Sequence, residues 1–196
     1  MFSQNDEEKY ILEHFKDEND GKFLDIGAYD GQAFSNTHQL ALNGWSGVCV
    51  EPSPNVTPAL NRLYKDNEKI CIVEAAVAQE DGFITFYDSN GDAISSTNVD
   101  HKKKWETNAK VVFKEISVPT ISMASIYELA GIGFDFVDVD VEGNNYEVLQ
   151  LINFDIVKAS MVCVEFDDKI EQIKKYLSGF GFKKVHQTGE NYLAVR

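Results

Sequence analysis

Two short apolar runs, each ending at a polar turn, constrain the fold of this 196-residue chain more than any other feature. The first run, FLDI, ends in the loop GAYDG (residues 27–31), and the second, VCV, ends at Glu51. Gly27 and Gly31 have no Cβ, so the backbone can turn sharply there and approach a ligand closely. Glu51 follows Gly31 by 51 − 31 = 20 residues, the usual distance to an acidic residue that binds ribose hydroxyls. The pattern predicts two parallel strands whose carboxyl ends form a nucleoside pocket.

The glycine loop differs from the dinucleotide-binding fingerprint in ways that favour a cationic ligand. That fingerprint has three glycines, whereas this loop has two, spaced GxxxG, with Asp30 between them. A pyrophosphate at a helix N-terminus requires free N–H groups and no nearby anion. S-adenosylmethionine carries a sulfonium and an ammonium, so it suits an acidic loop better. We therefore predict this cofactor rather than NAD, and a nucleotide-dependent dehydrogenase is the less favoured alternative.

The overall charge argues against two classes of partner. The formal net charge is −14, and such a surface repels nucleic acid and anionic membranes, so we expect neither as a partner. Each of the three cysteines lies in an apolar run, which indicates reduced core thiols rather than disulfides or a metal site. Because the sequence shows no signal peptide and no apolar run of membrane-spanning length, the expected location is the cytoplasm.

Alternating strand and helix patterns predict one α/β domain over residues 1–196, beginning with a helix within residues 1–20. We predict helices between most of the strands, which fall at 22–26, 47–51, 70–76, 83–87, 111–118, 134–141 and 159–166. Two final runs, 181–187 and 191–195, face each other across a turn and predict a hairpin. This order indicates a mainly parallel sheet with helices on both faces and one antiparallel edge element.

The polar stretch at residues 89–110 shows no periodicity, and we predict a substrate-binding or lid loop there. It contains His101, a candidate general base only if this segment folds over the pocket. Trp105 in the same stretch is a candidate for stacking on a substrate. After it, Pro119 is expected to end the strand over 111–118.

A second acidic segment lies at residues 134–143 (FDFVDVDVEG), where apolar and acidic residues alternate. Asp138, Asp140 and Glu142 share one face of a strand that should be buried, which is costly unless that face lines a cleft with a cation or a hydrogen-bonding ligand. An edge strand with one wet face is the alternative. Since the carboxyl ends of parallel strands meet at one crevice, we expect Asp140, Glu142 and Glu165 to lie together there. They could bind the cofactor's methionine portion and accept a proton from a substrate hydroxyl, or they could hold Mg²⁺.

Five motifs together resemble the FkbM-type methyltransferases: DIGAYDG (25–31), SNT (35–37), GWSGVCVEPSP (44–54), AAVA (75–78) and FDFVDVDVEGNNYEVL with VCVEF (134–166). The resemblance covers residues 22–166 and continues loosely to the end of the chain. It implies a Rossmann-like class I methyltransferase fold, with a seven-stranded sheet ending in an antiparallel hairpin. It also implies S-adenosylmethionine-dependent methylation of a hydroxyl oxygen on a sugar, a polyketide or another small metabolite. Within the SNT motif, a helix N-cap role is the interpretation that we favour.

The resemblance also assigns roles to individual residues. Asp25, Gly27, Ala28 and Gly31 would cradle the methionine portion of the cofactor, with Tyr29 in the same loop. Glu51 would bind the ribose hydroxyls, and Ala76 with its neighbours would line the adenine. Asp140 and Glu142 would stand beside the transferred methyl group. With Glu165, which the strand pattern adds, they are our candidate catalytic residues. The alternative is a non-catalytic module that binds S-adenosylmethionine or a nucleoside, but such a module should lose the acids near the methyl group, whereas this chain retains Asp140 and Glu142.

Overall fold

A computed structural model describes residues 1–196 and consists of two β-sheets with helices packed around them. The ten strands are β1 (Lys22–Ile26), β2 (Ser46–Val50), β3 (Ile70–Val73), β4 (Ala76–Val77), β5 (Gly82–Asp88), β6 (Lys114–Ile121), β7 (Phe136–Val139), β8 (Met161–Glu165), β9 (Lys183–Gln187) and β10 (Asn191–Val195). The eight helices are α1 (Glu7–His14), α2 (His38–Leu42), α3 (Thr57–Tyr64), α4 (Val99–Ala109), α5 (Met123–Ala130), α6 (Asn145–Leu149), α7 (Phe154–Val157) and α8 (Ile170–Gly179).

The larger sheet has seven strands in the order β3-β2-β1-β7-β8-β10-β9. The strands from β3 to β8 in this order pair in parallel, while β10 is antiparallel to both β8 and β9. This arrangement confirms the predicted mainly parallel sheet with its C-terminal antiparallel hairpin. The order also places β1 and β7, which carry the two acidic segments, side by side at the centre.

Apolar side chains alternate along the central strands and form two separate cores, one on each face of the sheet. Leu24, Val137 and Val162 belong to a cluster of 22 buried residues on one face. Phe23 and Phe136 belong to a cluster of 15 buried residues on the other face. Neighbouring residues of one strand point to opposite faces, so this division confirms that both faces are covered. The three cysteines are free thiols, as predicted.

A second sheet was not predicted. The stretch 70–76 divides into β3 and β4, and β4 leaves the main sheet to pair with β6 in a three-stranded sheet of order β4-β6-β5. The expectation that Pro119 ends a strand was wrong, because Pro119 lies inside β6. It pairs with Phe83 of β5, whereas the pairing of β6 with β4 begins only at Thr120. Proline is tolerated where one side of a strand has no partner.

The segment 89–110 is not the loop that we predicted, because residues 99–109 form α4. The side chain of Asn98 begins this helix by accepting hydrogen bonds from the backbone N–H groups of Asp100 and His101. Lys110 ends it in the left-handed conformation, with φ +56°. The helix buries one residue, His101, so it lacks the apolar periodicity by which a helix is detected in sequence.

None of the eight helices has both the length and the apolar character that crossing a membrane requires.

Candidate functional site

The crevice at the carboxyl ends of β1, β2, β7 and β8 brings the predicted acidic residues together. Gly27, directly after β1, lies against the backbone of Asp140, directly after β7. A Cβ on Gly27 would be 1.7 Å from the Asp140 carbonyl oxygen, and Gly27 has φ +94°. Only glycine fits this position, because any side chain would collide with backbone and strain the conformation. The close approach fixes the glycine loop against the acidic strand end.

Glu51 is buried at the end of β2, with 7% of its surface exposed. One carboxylate oxygen accepts a hydrogen bond from the backbone N–H of Tyr29 at 3.1 Å, and the other accepts one from Ser53 at 2.7 Å. Burial raises the pKa of Glu51 to about 7, although the two backbone hydrogen bonds oppose the shift. Each oxygen retains a further lone pair, so the oriented carboxylate can accept hydrogen bonds from a ligand.

A cavity opens in front of Glu51. Gly27, Tyr29 and Ala76 line it, as predicted for cofactor-binding residues, together with the apolar side chains of Val56, Ala75, Val77 and Phe86. The cavity therefore combines an apolar wall of the kind that a base requires with one oriented carboxylate.

A second cavity continues from the first and contains two more of the predicted residues, Asp25 and Ala28. Gly31 lines neither cavity: a Cβ there would be 2.6 Å from Leu60, so this glycine lets the loop pack against α3. The assignment of Gly31 to cofactor binding stays a prediction. The structure does bring the other six predicted cofactor residues to the walls of these two adjoining cavities.

Asp25 and Asp138 are direct neighbours on β1 and β7 and are both buried. Burial raises the pKa of Asp25 to about 6. The pKa of Asp138 is raised well above its ordinary value by burial and by the charge of Asp25. Thr37 Oγ1 donates to Asp25 at 2.5 Å, and Asn36 Nδ2 donates to Asp138 at 3.2 Å. These donors orient two carboxyl groups that would otherwise be buried without partners.

The N-cap role that we predicted for the SNT motif was wrong for its cap residue, because Thr37, the N-cap of α2, makes no side-chain cap hydrogen bond. Ser35, two residues before the cap, does accept a hydrogen bond at Oγ from the backbone N–H of His38, at 3.0 Å. Asn36 and Thr37, however, point toward the sheet and hold the carboxyl pair of β1 and β7. Sequence reasoning missed this role because 102 residues separate Asn36 from Asp138, and no local pattern reports such a contact.

Asp140, Glu142 and Glu165 form the predicted acidic cluster, and one oxygen from each lies within 4.8 Å of the others. Burial, followed by the charge of neighbouring acids, raises the pKa of Glu142 and of Glu165 to about 9 each. The same two causes raise the pKa of Asp140 well above its ordinary value. Near neutral pH these carboxyl groups are therefore mostly protonated, and an incoming cation would favour their ionised forms.

Asn145, at the start of α6, organises this cluster and was not predicted. Its Oδ1 accepts from the backbone N–H of Val141 at 2.7 Å, and its Nδ2 donates to Glu165 at 2.6 Å and to Asp167 at 3.1 Å. Asn145 thus connects the ends of β7 and β8. The motif EGNN already contained this residue, but its partners depend on the packing of β7 beside β8.

Glu142 lines the cavity in front of Glu51, the second cavity that continues from it, and a third, more open cavity. It has φ +55°, and strained backbone of this kind in a residue other than glycine is concentrated at functional sites. Ser96 Oγ donates to the Glu142 carbonyl oxygen. Glu142 Oε2 lies 3.5 Å from His101 Nε2. The segment containing α4 therefore folds over the crevice, which is the condition that we set for His101 as a candidate base.

Burial lowers the pKa of His101. Since the pKa of Glu142 is raised to about 9, the two groups face each other uncharged near neutral pH rather than as an ion pair. The carboxylate cluster has the oxygen ligands that a hard cation prefers. No finding, however, supports the magnesium ion that we considered.

Comparisons with known proteins bear on the fold and on the family of this chain. Two structures with similar folds are the Methanococcus jannaschii fibrillarin pre-rRNA processing protein (14% identity, TM-score 0.52) and the precorrin-6y C5,15-methyltransferase from Geobacter metallireducens GS-15 (12% identity, TM-score 0.50). The alignments cover 90% of this chain and 66% of the fibrillarin, and 96% of this chain and 87% of the precorrin enzyme. The chain thus spans just under two thirds of the fibrillarin. At these identities the likeness concerns the fold alone.

No curated protein matches the sequence. A family description, "Methyltransferase FkbM domain", matches residues 25–185. This range runs from Asp25 into β9 and includes Glu51, Asp138, Asp140, Glu142 and Glu165. The chain therefore belongs to the FkbM methyltransferase domain family.

Proposed function

We propose that this protein transfers the methyl group of S-adenosylmethionine to a hydroxyl oxygen of a small-molecule or carbohydrate acceptor. One observation carries the proposal: Glu142 stands where the largely apolar cavity in front of Glu51, an acidic cavity and an open polar basin meet. A methyltransferase needs such a junction, because donor and acceptor must meet end to end.

The cofactor fits the crevice by shape and by charge. The adenine would lie among the apolar side chains near Ala76, and the ribose hydroxyls would donate to Glu51. The methionine portion would extend into the second cavity, where Asp25, Asp138 and Asp140 are the nearest acids. A cationic ligand would favour the ionised forms of these acids and be attracted to them, whereas a pyrophosphate would find no opposite charge there, which supports S-adenosylmethionine over NAD.

When bound, S-adenosylmethionine supplies a methyl carbon that the acceptor oxygen attacks in line, while the electron pair of the sulfur–carbon bond leaves with sulfur. The chain's first task is alignment, which contributes roughly 7–11 kcal/mol in favourable cases. Glu142 has a left-handed backbone conformation, and Gly27 packs against the backbone of Asp140. These two features would hold the site in the fixed geometry that alignment requires.

The second task is to accept the proton that the hydroxyl loses. His101 is uncharged near neutral pH and faces the junction, so its Nε2 can accept this proton directly. Asp140, Glu142 and Glu165 become available as bases once a cationic ligand favours their ionised forms. The products are a methyl ether, S-adenosylhomocysteine and one proton.

The charge of the crevice also limits the acceptor. Nucleic acid carries closely spaced phosphates, which would meet the acids at the junction, so we do not extend the pre-rRNA role of the fibrillarin to this chain. We propose neither a nucleic acid nor a membrane as a partner, and we propose the cytoplasm as the location.

The proposal is tested by titrating the protein with S-adenosylmethionine in a calorimeter and then measuring transfer of a radiolabelled methyl group to a panel of sugars and small alcohols. We expect saturable binding, and methyl ether formed on at least one acceptor. Binding without transfer to any acceptor would favour the non-catalytic alternative. Absence of binding would contradict the proposal as a whole.

A further inference from the structure

The third cavity is a polar basin beside the cofactor crevice. It is bounded by the first half of α4, by the turn after β7, by the segment after β8 and by the turn between β9 and β10. Of its thirteen lining residues, only one, Trp105, is hydrophobic. The basin shares Glu142 and Glu165 with the acidic cavity, so a molecule in it would reach the methyl-transfer junction.

The lining of this basin carries mostly negative charge. Six of its residues carry carboxyl groups. Glu142 and Glu165 stay mostly protonated near neutral pH until a cation enters, and the other four are Asp100, Asp167, Asp168 and Glu190. The two lysines in the lining are Lys104 and Lys169, and Lys169 already pairs with Glu147 at 2.5 Å. Ionised carboxylates only accept hydrogen bonds, so a ligand that fits this wall has to supply many donors.

His101 gives independent evidence of a missing ligand. Its side chain is only 7% exposed, and its Nε2 is buried without a hydrogen-bond partner. Buried polar atoms in native proteins nearly always have a partner, so an unpaired one requires an explanation. His101 and Glu142 both line the basin, and their Nε2 and Oε2 atoms are 3.5 Å apart, too far for a good hydrogen bond, so a ligand hydroxyl that entered between them would give Nε2 its partner.

The position of His101 is fixed by its surroundings. A Cβ on Gly143 would be 2.9 Å from the Cβ of His101, so the helix packs directly on this glycine. Asn98 caps the helix with its Oδ1 and donates from Nδ2 to the Gly143 carbonyl oxygen at 2.6 Å. The imidazole is therefore held at the junction by a helix cap that is itself anchored to the end of β7.

Resting on the proposed function, we propose that the basin binds the methyl acceptor and that this acceptor is an amine-bearing, polyhydroxylated molecule of the amino-sugar class. Its ammonium group lies among Asp167, Glu190 and Glu165, and its reactive hydroxyl donates to His101 Nε2. During transfer the hydroxyl oxygen bonds to the methyl carbon, the sulfur–carbon pair leaves with sulfur, and the hydroxyl proton passes to His101.

The lining also indicates which acceptors the basin disfavours. A polyketide or another largely apolar molecule would find one aromatic ring and no apolar wall. A sugar phosphate would face four exposed acidic residues, of which only Asp100 pairs with a lysine, Lys103, and one lysine of the lining, Lys104, outside an ion pair. A neutral sugar could bind through its hydroxyls, but it would leave the negative charge uncompensated.

The experiment measures binding of three matched hexoses by calorimetry, with the protein first saturated with S-adenosylhomocysteine. The probes are glucosamine, glucose and glucose 6-phosphate. We expect glucosamine to bind at least about tenfold more tightly than glucose, as one favourable charge contact implies, and glucose 6-phosphate to bind most weakly. Equal affinities, tighter binding of the phosphate, or no binding of any hexose would overturn the proposal.

Two variants show whether the preference comes from the basin. The double variant Asp167→Asn, Glu190→Gln should show a ratio of glucosamine affinity to glucose affinity that is lower by at least about fivefold. Asp17→Asn, at an exposed acid outside the basin, should leave the ratio unchanged. An unchanged ratio in the double variant would overturn the assignment of the ammonium site. Because the saturation step measures cofactor binding separately, failure here is distinguishable from failure of the proposed function.

Discussion

Binding of S-adenosylmethionine should release protons from the acidic cluster, and the number can be worked out from the structure. Glu142 and Glu165 have pKa values of about 9 in the free protein. A positive charge within about 4–6 Å lowers the pKa of a carboxyl by roughly 1–3 units. If a bound sulfonium lowers each to about 7, then at pH 8 each group changes from about 90% to about 10% protonated, a release of about 0.8 protons per carboxyl.

The pH dependence follows from the same values. Near pH 6, well below the lowered pKa, the two carboxyl groups are protonated in both the free and the cofactor-bound protein, so binding releases almost no protons. Near pH 10 they are ionised in both states, and binding again releases almost none. Release from the cluster should therefore be greatest near pH 8. By linkage, the association constant of the cofactor should rise with pH most steeply there.

The assay is calorimetry in several buffers that differ in ionisation enthalpy, since the slope of the observed heat gives the number of protons exchanged. The α-amino group of the cofactor titrates near the same pH, so the decisive quantity is the difference between wild type and Glu142→Gln. We expect this variant to release about 0.8 fewer protons at pH 8. Equal proton release by the two proteins would refute the claim that Glu142 is protonated in the free protein and ionises when the cationic cofactor binds.

Three further predictions concern the cofactor, the reaction and the backbone. Glu51→Gln should weaken S-adenosylmethionine binding by about 1–3 kcal/mol without unfolding the protein; calorimetry checks this against the exposed Glu68→Gln, and equal affinities would contradict the ribose assignment. Asp140→Asn should slow single-turnover methyl transfer, and a wild-type rate would remove Asp140 from the catalytic set. Gly27→Ala should destabilise the fold far more than Gly44→Ala in denaturant titrations. Both glycines have φ +94°, but only at Gly27 would a Cβ meet backbone, so similar losses of about 1–2 kcal/mol from backbone strain alone would contradict the close-approach argument.

Stability of the free protein should also depend on pH, with a sign fixed by the raised carboxyl pKa values. In the unfolded chain these groups ionise near their ordinary values, whereas in the folded protein Glu51 ionises near 7 and Glu142 and Glu165 near 9. The folded state therefore binds more protons between about pH 5 and 9, and the free energy of unfolding should fall as pH rises through this range. A rise in stability over the same range, measured by denaturant unfolding, would contradict the assigned pKa directions.

The parts of the site that lie on single strands were predictable from sequence. The loop after β1, Glu51 after β2 and the acids after β7 each show local patterns, and parallel strands bring such ends to one edge. The main sheet was predictable for the same reason. Its strands and helices show periodic apolar patterns with turn residues between them, so they can be located in the sequence. The predicted hairpin at the C-terminus is present.

The parts that depend on contacts distant in sequence were not predictable. Asn36, Thr37 and Asn145 are ordinary polar residues until the fold places a carboxyl group within hydrogen-bond distance of each. The small sheet escaped detection because β4 has only two residues. Helix α4 escaped detection because its stability comes from the cap at Asn98 and from contacts with the turn after β7, rather than from an apolar face.

Whether the crevice binds a cationic methyl donor rather than a phosphate-bearing coenzyme is tested by calorimetry of S-adenosylmethionine and of NAD with the same protein. We expect S-adenosylmethionine to bind with an affinity that depends on Glu51, and NAD to give no measurable heat of binding, because its phosphates would find no opposite charge among the buried acids of the crevice. Tight binding of NAD together with no binding of S-adenosylmethionine would contradict the account.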